Sequence, residues 1–388
     1  MKSLRKIAVL HAACHPVTGP WSVMRDLARA QQASAAYAGV GLAVIVDSTW
    51  PAAYREEVNN LAMPFYEAPL PKTIGTAAFL YQRLRPAPWA QWIGDLAART
   101  GADAVVVHLH NAWMSGVFLP LPEVPDVRTG VVATFHGVNE HFHGKPIRRA
   151  LHRWMARRLP RHGARLTSVD AQNTRHAEEI FGIPRDAFAI IPNGIDPMAT
   201  EPSPRAVADS AAPLVVGHVG SMIPQKGWQL LAEAAERVNR DGIRIRVVLA
   251  GQGPDADVAA AWAARHPDWA EFLGHVASPR ENLMPRLDLL CLMSQWEGLP
   301  MSIIEAMSVG LPVVATDVGG VAEAVTEGET GVLIPRTVEA LAVTLERLHR
   351  DRAELVRWGG RARRDFFERF TLARVDERYR AVYEESIA

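Results

Sequence analysis

Two carboxylates bracket one short loop. The stretch Ser294-Gln295-Trp296-Glu297-Gly298-Leu299-Pro300-Met301-Ser302-Ile303-Ile304-Glu305-Ala306-Met307 runs from an apolar strand pattern through a turn into a helical pattern. Gly298 and Pro300 suit a tight loop, and amides at a helix start stabilise phosphate or sugar oxygens. Glu297 then sits in the loop, and Glu305 can reach back to a diol such as a ribose, accepting from two hydroxyls. Spacing alone leaves a second reading open, in which Glu297 caps the helix and Glu305 is a solvated helix residue.

A cation accompanies them. Gly217-His218-Val219-Gly220-Ser221-Met222-Ile223-Pro224-Gln225-Lys226-Gly227 delivers Lys226 at a helix start, where its charge suits a departing diphosphate. Val131-Val132-Ala133-Thr134-Phe135-His136-Gly137 ends a strand on His136, a candidate for contact in the transition state. His108 and His110 close the neighbouring strand pattern and are followed by Asn111 and Trp113, four candidates for the acceptor side. Two histidines one residue apart invite a metal, but no further acid or cysteine has ligand spacing, so no metal is expected. Asp255-Ala256-Asp257 reads as acids at a helix start.

In context, Glu297, seven residues, Glu305, then Ala-Met-Ser-Val-Gly-Leu-Pro-Val-Val-Ala-Thr-Asp-Val-Gly-Gly resembles the signature of the retaining glycosyltransferases of family 4, which have the GT-B fold. The resemblance implies that Glu297 contacts the transferred sugar and Glu305 the nucleotide ribose. It implies that amides from Gly298 to Met301 hold sugar and diphosphate, and that Lys226 serves the diphosphate. Gly19, in Pro16-Val17-Thr18-Gly19-Pro20-Trp21, stands where relatives carry a glycine-rich loop near the donor phosphates. The base is expected around Gly274-His275-Val276. His136 resembles the end of the family's Thr-x-His turn, which implies contact with the donor sugar. Ser221 departs from the pattern, since relatives often have an arginine there.

These residues need a frame. Short β-branched runs at Ile7–Leu10, Val40–Val46, Ala104–His108, Val131–Phe135, Arg165–Ser168 and Ala189–Pro192 alternate with helical patterns, the signature of a parallel sheet. The alternation restarts at Leu214–Val219, Ile245–Ala250, Glu271–Leu273, Leu287–Leu292, Val313–Thr316 and Val332–Ile334. A chain of 388 residues exceeds one ordinary core. Two doubly wound, Rossmann-like domains of an α/β GT-B protein facing a central cleft are therefore expected. The first is 1–195, for the acceptor, joined by a C-terminal helix at about 371–388 crossing back. The second is 196–370, for the donor.

Forty-two basic and 42 acidic residues balance, which gives no argument for nucleic acid. Two separated cysteines in apolar runs suggest neither disulfides nor zinc and fit a cytoplasmic setting. Lys145 to Arg165 holds eight Lys or Arg and no acid around an apolar stripe, an amphipathic basic helix. It would let the enzyme sit peripherally at the inner membrane face, or its stripe is simply core.

The expected activity is transfer of a hexose from a UDP- or GDP-sugar to a hydroxyl of a glycan, lipid-linked or small-molecule acceptor, without a cofactor. Alternatives on this fold are a nucleotide-sugar epimerase, a sugar phosphorylase, or a non-catalytic glycan-binding protein.

Overall fold

The computed structural model describes residues 6–14, 18–46, 56–58, 60–69, 88–110, 115–137, 146–198 and 212–388. The chain divides into two compact units, 1–194 with 372–388, and 195–371.

The first unit is built on seven parallel strands: β1 (Ile7–Cys14), β2 (Gly39–Val46), β3 (Phe65–Pro69), β4 (Ala104–His110), β5 (Arg128–Phe135), β6 (Arg165–Ser168) and β7 (Phe188–Ile190), ordered β3-β2-β1-β4-β5-β6-β7. Every residue of β4 is buried, as a central parallel strand covered on both faces requires. Alternation sends Val105, Val107 and Leu109 to one face, against helices α2 (Trp89–Thr100), α3 (Pro146–Arg161) and α4 (Ala171–Phe181). Ala104 and Val106 go to the other face with Ile7, Val9 and Val132, where α1 (Thr18–Gln32) and the C-terminal helix Leu372–Ser386 cover them through Leu27, Val375, Tyr379 and Tyr383.

The second unit carries six parallel strands: β8 (Leu214–Val219), β9 (Ile245–Ala250), β10 (Ala270–Phe272), β11 (Leu289–Leu292), β12 (Val313–Thr316) and β13 (Gly331–Ile334), ordered β10-β9-β8-β11-β12-β13. Leu214, Val216, Val247, Leu249, Leu289 and Val314 form its core with the helices α5 (Trp228–Arg240) and α8 (Val338–Arg350), between which α6 (Ala256–Arg265) and α7 (Met301–Ser308) lie in sequence. Strand order reverses between β1 and β4 in the first sheet and between β8 and β11 in the second. Open parallel sheets bind ligands beyond the carboxyl ends of strands at such switch points.

Three sequence expectations change. β3 has no counterpart in the predicted runs. β1 extends four residues past Leu10 and β4 two past His108, with His11, Ala12, Ala13, Leu109 and His110 all buried rather than turning away. Gly19 lies in the first turn of α1, not in a loop, while Pro16 and Val17 fall outside the described residues.

The basic helix is α3. Arg153 donates to the Ile180 carbonyl, Arg157 to that of Phe181, and Arg158 to those of Gly116 and Leu119. Met155, Ala156 and Leu159 are buried in the core. Met155 and Leu159 of its stripe are thus core with Leu151 packed against it, Trp154 is exposed, and three of its arginines face backbone carbonyls. Among the described residues no helix is long and apolar enough to cross a membrane.

Candidate functional site

In the second unit, the loops after the adjacent strands β8 and β11 meet. The β8 loop ends in the turn Pro224–Lys226 and then Gly227, whose φ of 70° is left-handed. A Cβ on Gly227 would stand 2.0 Å from the Met293 carbonyl oxygen, so only glycine lets the two loops approach this closely. Gln295 N–H donates to the Gln225 carbonyl at 2.8 Å. Arg336 fastens the pair, donating to the carbonyls of Met293 at 3.0 Å and Pro224 at 3.1 Å. Sequence reasoning missed this arginine, whose partners are backbone atoms without any residue signature.

This approach sets Lys226 Nζ 2.6 Å from Glu297 Oε1. Ser294 Oγ donates to the same oxygen at 2.6 Å, and Thr316 Oγ1 donates to the Ser294 carbonyl at 2.6 Å. The Glu297 side chain is only 8% exposed and that of Lys226 21%. A third loop closes the set: Gly320 N–H donates to the Gly298 carbonyl at 2.9 Å, and a Cβ on Gly319 would lie 1.9 Å from the Glu297 carbonyl oxygen.

The N-cap of α7 is Pro300, with no side-chain capping bond. Glu297 is therefore held by a lysine and a serine and does not cap the helix. Leu299 and Pro300 are buried, Gly298 and Met301 partly exposed, and Glu305 lies partly exposed on α7. Ser221 is exposed beside the fully buried Met222. Gly274, His275 and Val276 follow β10. The Gly274 carbonyl accepts from Gly251 N–H at 2.8 Å, and His275 is exposed. Asp255 accepts from Trp228 Nε1 at 3.1 Å and Gln229 Nε2 at 2.8 Å, which makes it a packing acid. Burial pushes the Cys291 thiol up to about 12, so it is no thiolate nucleophile.

At the switch point of the first sheet, histidines gather instead. His11 on β1 sits in register with His108 on β4, and His110 with Thr134 on β5. Alternation sends all of them to the face covered by the C-terminal helix. His11 Nδ1 lies 3.0 Å from His110 Nε2, and His110 Nδ1 lies 2.9 Å from His136 Nε2. His11 Nε2 is 2.7 Å from Gln31 Oε1. His108 bonds Tyr383 OH at 2.7 Å and Thr134 Oγ1 at 2.6 Å.

His11, His108 and His110 are fully buried, whereas His136 is partly exposed. Burial pushes His11 and His136 down to about 4, and His108 and His110 well below the ordinary histidine value, so all four rings are neutral near pH 7. His108 and His110, offered above for the acceptor side, are fully buried, with His110 against His136. Asn111 and Trp113 fall outside the described residues.

The sequence offered two histidines without a third ligand, and the fold supplies it. Nitrogens of His11, His108 and His110 lie within 4.8 Å of one another. Hydrogen bonds account for both ring nitrogens of each, and the His108 and His110 rings are stacked, with centroids 4.1 Å apart.

Residues 17–198 match a family described as "Glycosyltransferase Family 4", and residues 213–351 one described as "Glycosyl transferases group 1". The D-inositol 3-phosphate glycosyltransferase of Nocardia farcinica is 33% identical over 216 residues, 51% of this chain, so the match spans about half (48%) of that relative. The 2-deoxystreptamine glucosyltransferase of Streptomyces kanamyceticus is 28% identical over 78% of this chain and 83% of its own. In structure, Anabaena HepE in complex with UDP superposes with a TM-score of 0.74 at 19% identity, covering 98% of this chain and 100% of that one. Two parallel Rossmann-like sheets, a C-terminal helix on the first, and matches over both halves lead to one assignment: the chain belongs to the group 1, family 4 glycosyltransferases and has the GT-B fold.

Proposed function

We propose that this protein is a retaining hexosyltransferase that takes its sugar from a nucleoside diphosphate donor. The Lys226–Glu297 contact at the switch point of the second sheet carries the reading, because it sets a cation for a diphosphate beside an acid for a sugar hydroxyl. Lys226 offsets charge developing on the leaving diphosphate, Glu297 accepts from the transferred sugar, and Glu305 accepts from the ribose. Backbone from Gly298 to Met301, with Ser221 and Gly19, serves the phosphates, and Gly274 to Val276 the base. His136 contacts the sugar.

The anomeric carbon loses its bond to the diphosphate oxygen and gains one to the acceptor oxygen on the same face. The acceptor proton passes to the leaving phosphate. No pair of carboxylates dedicated to acid and base is needed, and neither is a metal or cofactor. Solved HepE complexes contain UDP and UDP-glucose, which makes UDP-glucose the first donor to test, ahead of GDP-sugars. The acceptor belongs to the glycan, lipid-linked or small-molecule hydroxyl class, served by the first unit.

A thermal-shift panel of UDP-, GDP- and ADP-sugars, followed by transfer assays with the stabilising donor, tests this. Glu297→Ala is expected to abolish transfer in a folded protein, and Glu305→Ala to weaken donor binding by about tenfold, the worth of one hydrogen bond to a charged group. Near-normal turnover by purified Glu297→Ala protein sinks the assignment. Release of free UDP only when acceptor is added would exclude a phosphorylase or epimerase, and no thermal shift with any nucleotide would favour a glycan-binding protein.

A further inference from the structure

The buried histidines of the first unit form a directed chain whose polarity is fixed at its far end. Asp376, on the C-terminal helix, accepts from Tyr37 OH at 2.5 Å and from Gln31 Nε2 at 2.8 Å, and Arg380 Nη2 lies 3.7 Å from its other oxygen. A carboxylate has no proton to give. The Gln31 group facing it must therefore be the amide nitrogen, which turns Gln31 Oε1 to His11.

An amide oxygen only accepts, so His11 carries its proton on Nε2. A neutral imidazole has one N–H, and His11 Nδ1 is then an acceptor. His110 Nε2, 3.0 Å away, must donate to it, leaving His110 Nδ1 as an acceptor. His136 Nε2, 2.9 Å from His110 Nδ1, donates in turn. Each step leaves one choice, and the last leaves His136 with Nδ1 bare of hydrogen. Asp376, Gln31, His11 and His110 are all nine-tenths or more buried, so water does not scramble the order. His108 stands beside this chain, bound to Tyr383 and Thr134.

We propose that Asp376, Gln31, His11 and His110 are positioning residues that lock His136 in its Nε2–H tautomer, so that it meets the sugar as a hydrogen-bond acceptor through Nδ1. A sugar hydroxyl donates to such a ring, whereas an uronate carboxylate has no proton to offer and is repelled by its lone pair. The substrate class is thus a neutral, hydroxyl-bearing sugar. The role of His136 toward sugar rests on the transferase reading above; the tautomer chain does not.

Nitrogen-15 NMR of the full chain, with labelled histidine rings, reads the tautomers directly. At neutral pH, His11, His110 and His136 are expected to be singly protonated at Nε2, with His136 assigned through His136→Gln. Gln31→Met removes the acceptor for His11 while keeping length. It should release the His136 tautomer and lower kcat/KM by about three- to tenfold, the worth of one neutral hydrogen bond. Gln31→Glu, which can share a proton with Asp376 and still accept from His11, should restore both.

An Nδ1–H tautomer or a doubly protonated ring at any of the three positions overturns the proposal. So does an unchanged His136 signal in folded Gln31→Met protein, or a stoichiometric metal held by His11, His108 and His110. If instead the tautomers are as stated and no nucleotide sugar binds the unaltered protein, it is the transferase reading that fails.

Discussion

Lowering the pH should open the first unit through its histidines. His11 is fully buried and held down to about 4, while in the unfolded chain it titrates at the ordinary 6.5. The unfolded state therefore binds the proton more readily, and stability falls as pH drops through 6.5 toward 4. For one group with these values the loss relative to pH 7.5 is about 0.8 kcal/mol at pH 6 and about 2 kcal/mol at pH 5. That is roughly a thirtyfold rise in the open population at pH 5. His110, 3.0 Å away, is depressed further by burial and by its neighbours, so the rings titrate as one coupled site and His11 alone gives the lower bound.

Amide hydrogen exchange in peptides covering β1 and β4, corrected for intrinsic rates, measures this opening at pH 7 and pH 5. His11→Asn supplies the control. An amide keeps one donor and one acceptor but does not titrate, so the variant should be less protected at pH 7 and show a change between pH 7 and pH 5 smaller by about twentyfold. Equal opening free energies at the two pH values, or an unaltered slope in His11→Asn protein, would refute the reasoning.

Two further substitutions probe the donor unit. Gly227→Ala forces an L side chain into a left-handed conformation, costing about 1–2 kcal/mol, and drives its Cβ toward the Met293 carbonyl. A lowered thermal midpoint with a raised donor KM is expected, because the loop bearing Lys226 must withdraw. Arg352 and Asp288 are almost fully buried, their nearest atoms 3.5 Å apart, and the Asp288 carboxylate also accepts from Val215 N–H. Arg352→Met, which leaves that charge buried, should destabilise the second unit by about 3–5 kcal/mol in urea unfolding; a loss below about 1 kcal/mol would mean that water already reaches the pair.

Both sheets were legible because a parallel strand covered on two faces must be apolar throughout, as Ala104–Val107 and Leu289–Leu292 are. β3, with alternating partial exposure at the sheet edge, lacks that signature. The motif residues could be found because loop chemistry is local in sequence: Glu297 and Glu305 share one segment. The histidine chain could not, although one clue was available. His11, His108, His110 and Thr134 share the face parity of Val9, Val106 and Val132, and parallel register brings like ends together. What turns those rings into a polar cluster is Gln31 on α1 and Asp376, 345 residues later. No short-range pattern links those two, and only packing of the C-terminal helix joins them.

The same distinction explains why Glu297 was ambiguous until the fold was seen. An acid before a helix is favoured by the helix dipole whether or not it binds anything, so spacing cannot separate a cap from a ligand group. The fold excludes the cap, since Glu297 is held instead by Lys226, 71 positions away in sequence and 2.6 Å away in space. At 8% exposure a carboxylate needs a countercharge, and here that countercharge is the cation a diphosphate would claim. If a donor drew Lys226 onto its phosphates, Glu297 would be left with Ser294 and with whatever hydroxyls the sugar brings. Under the proposed reading, loss of the lysine should therefore harm binding of the diphosphate and of the sugar together, because one contact organises the groups for both.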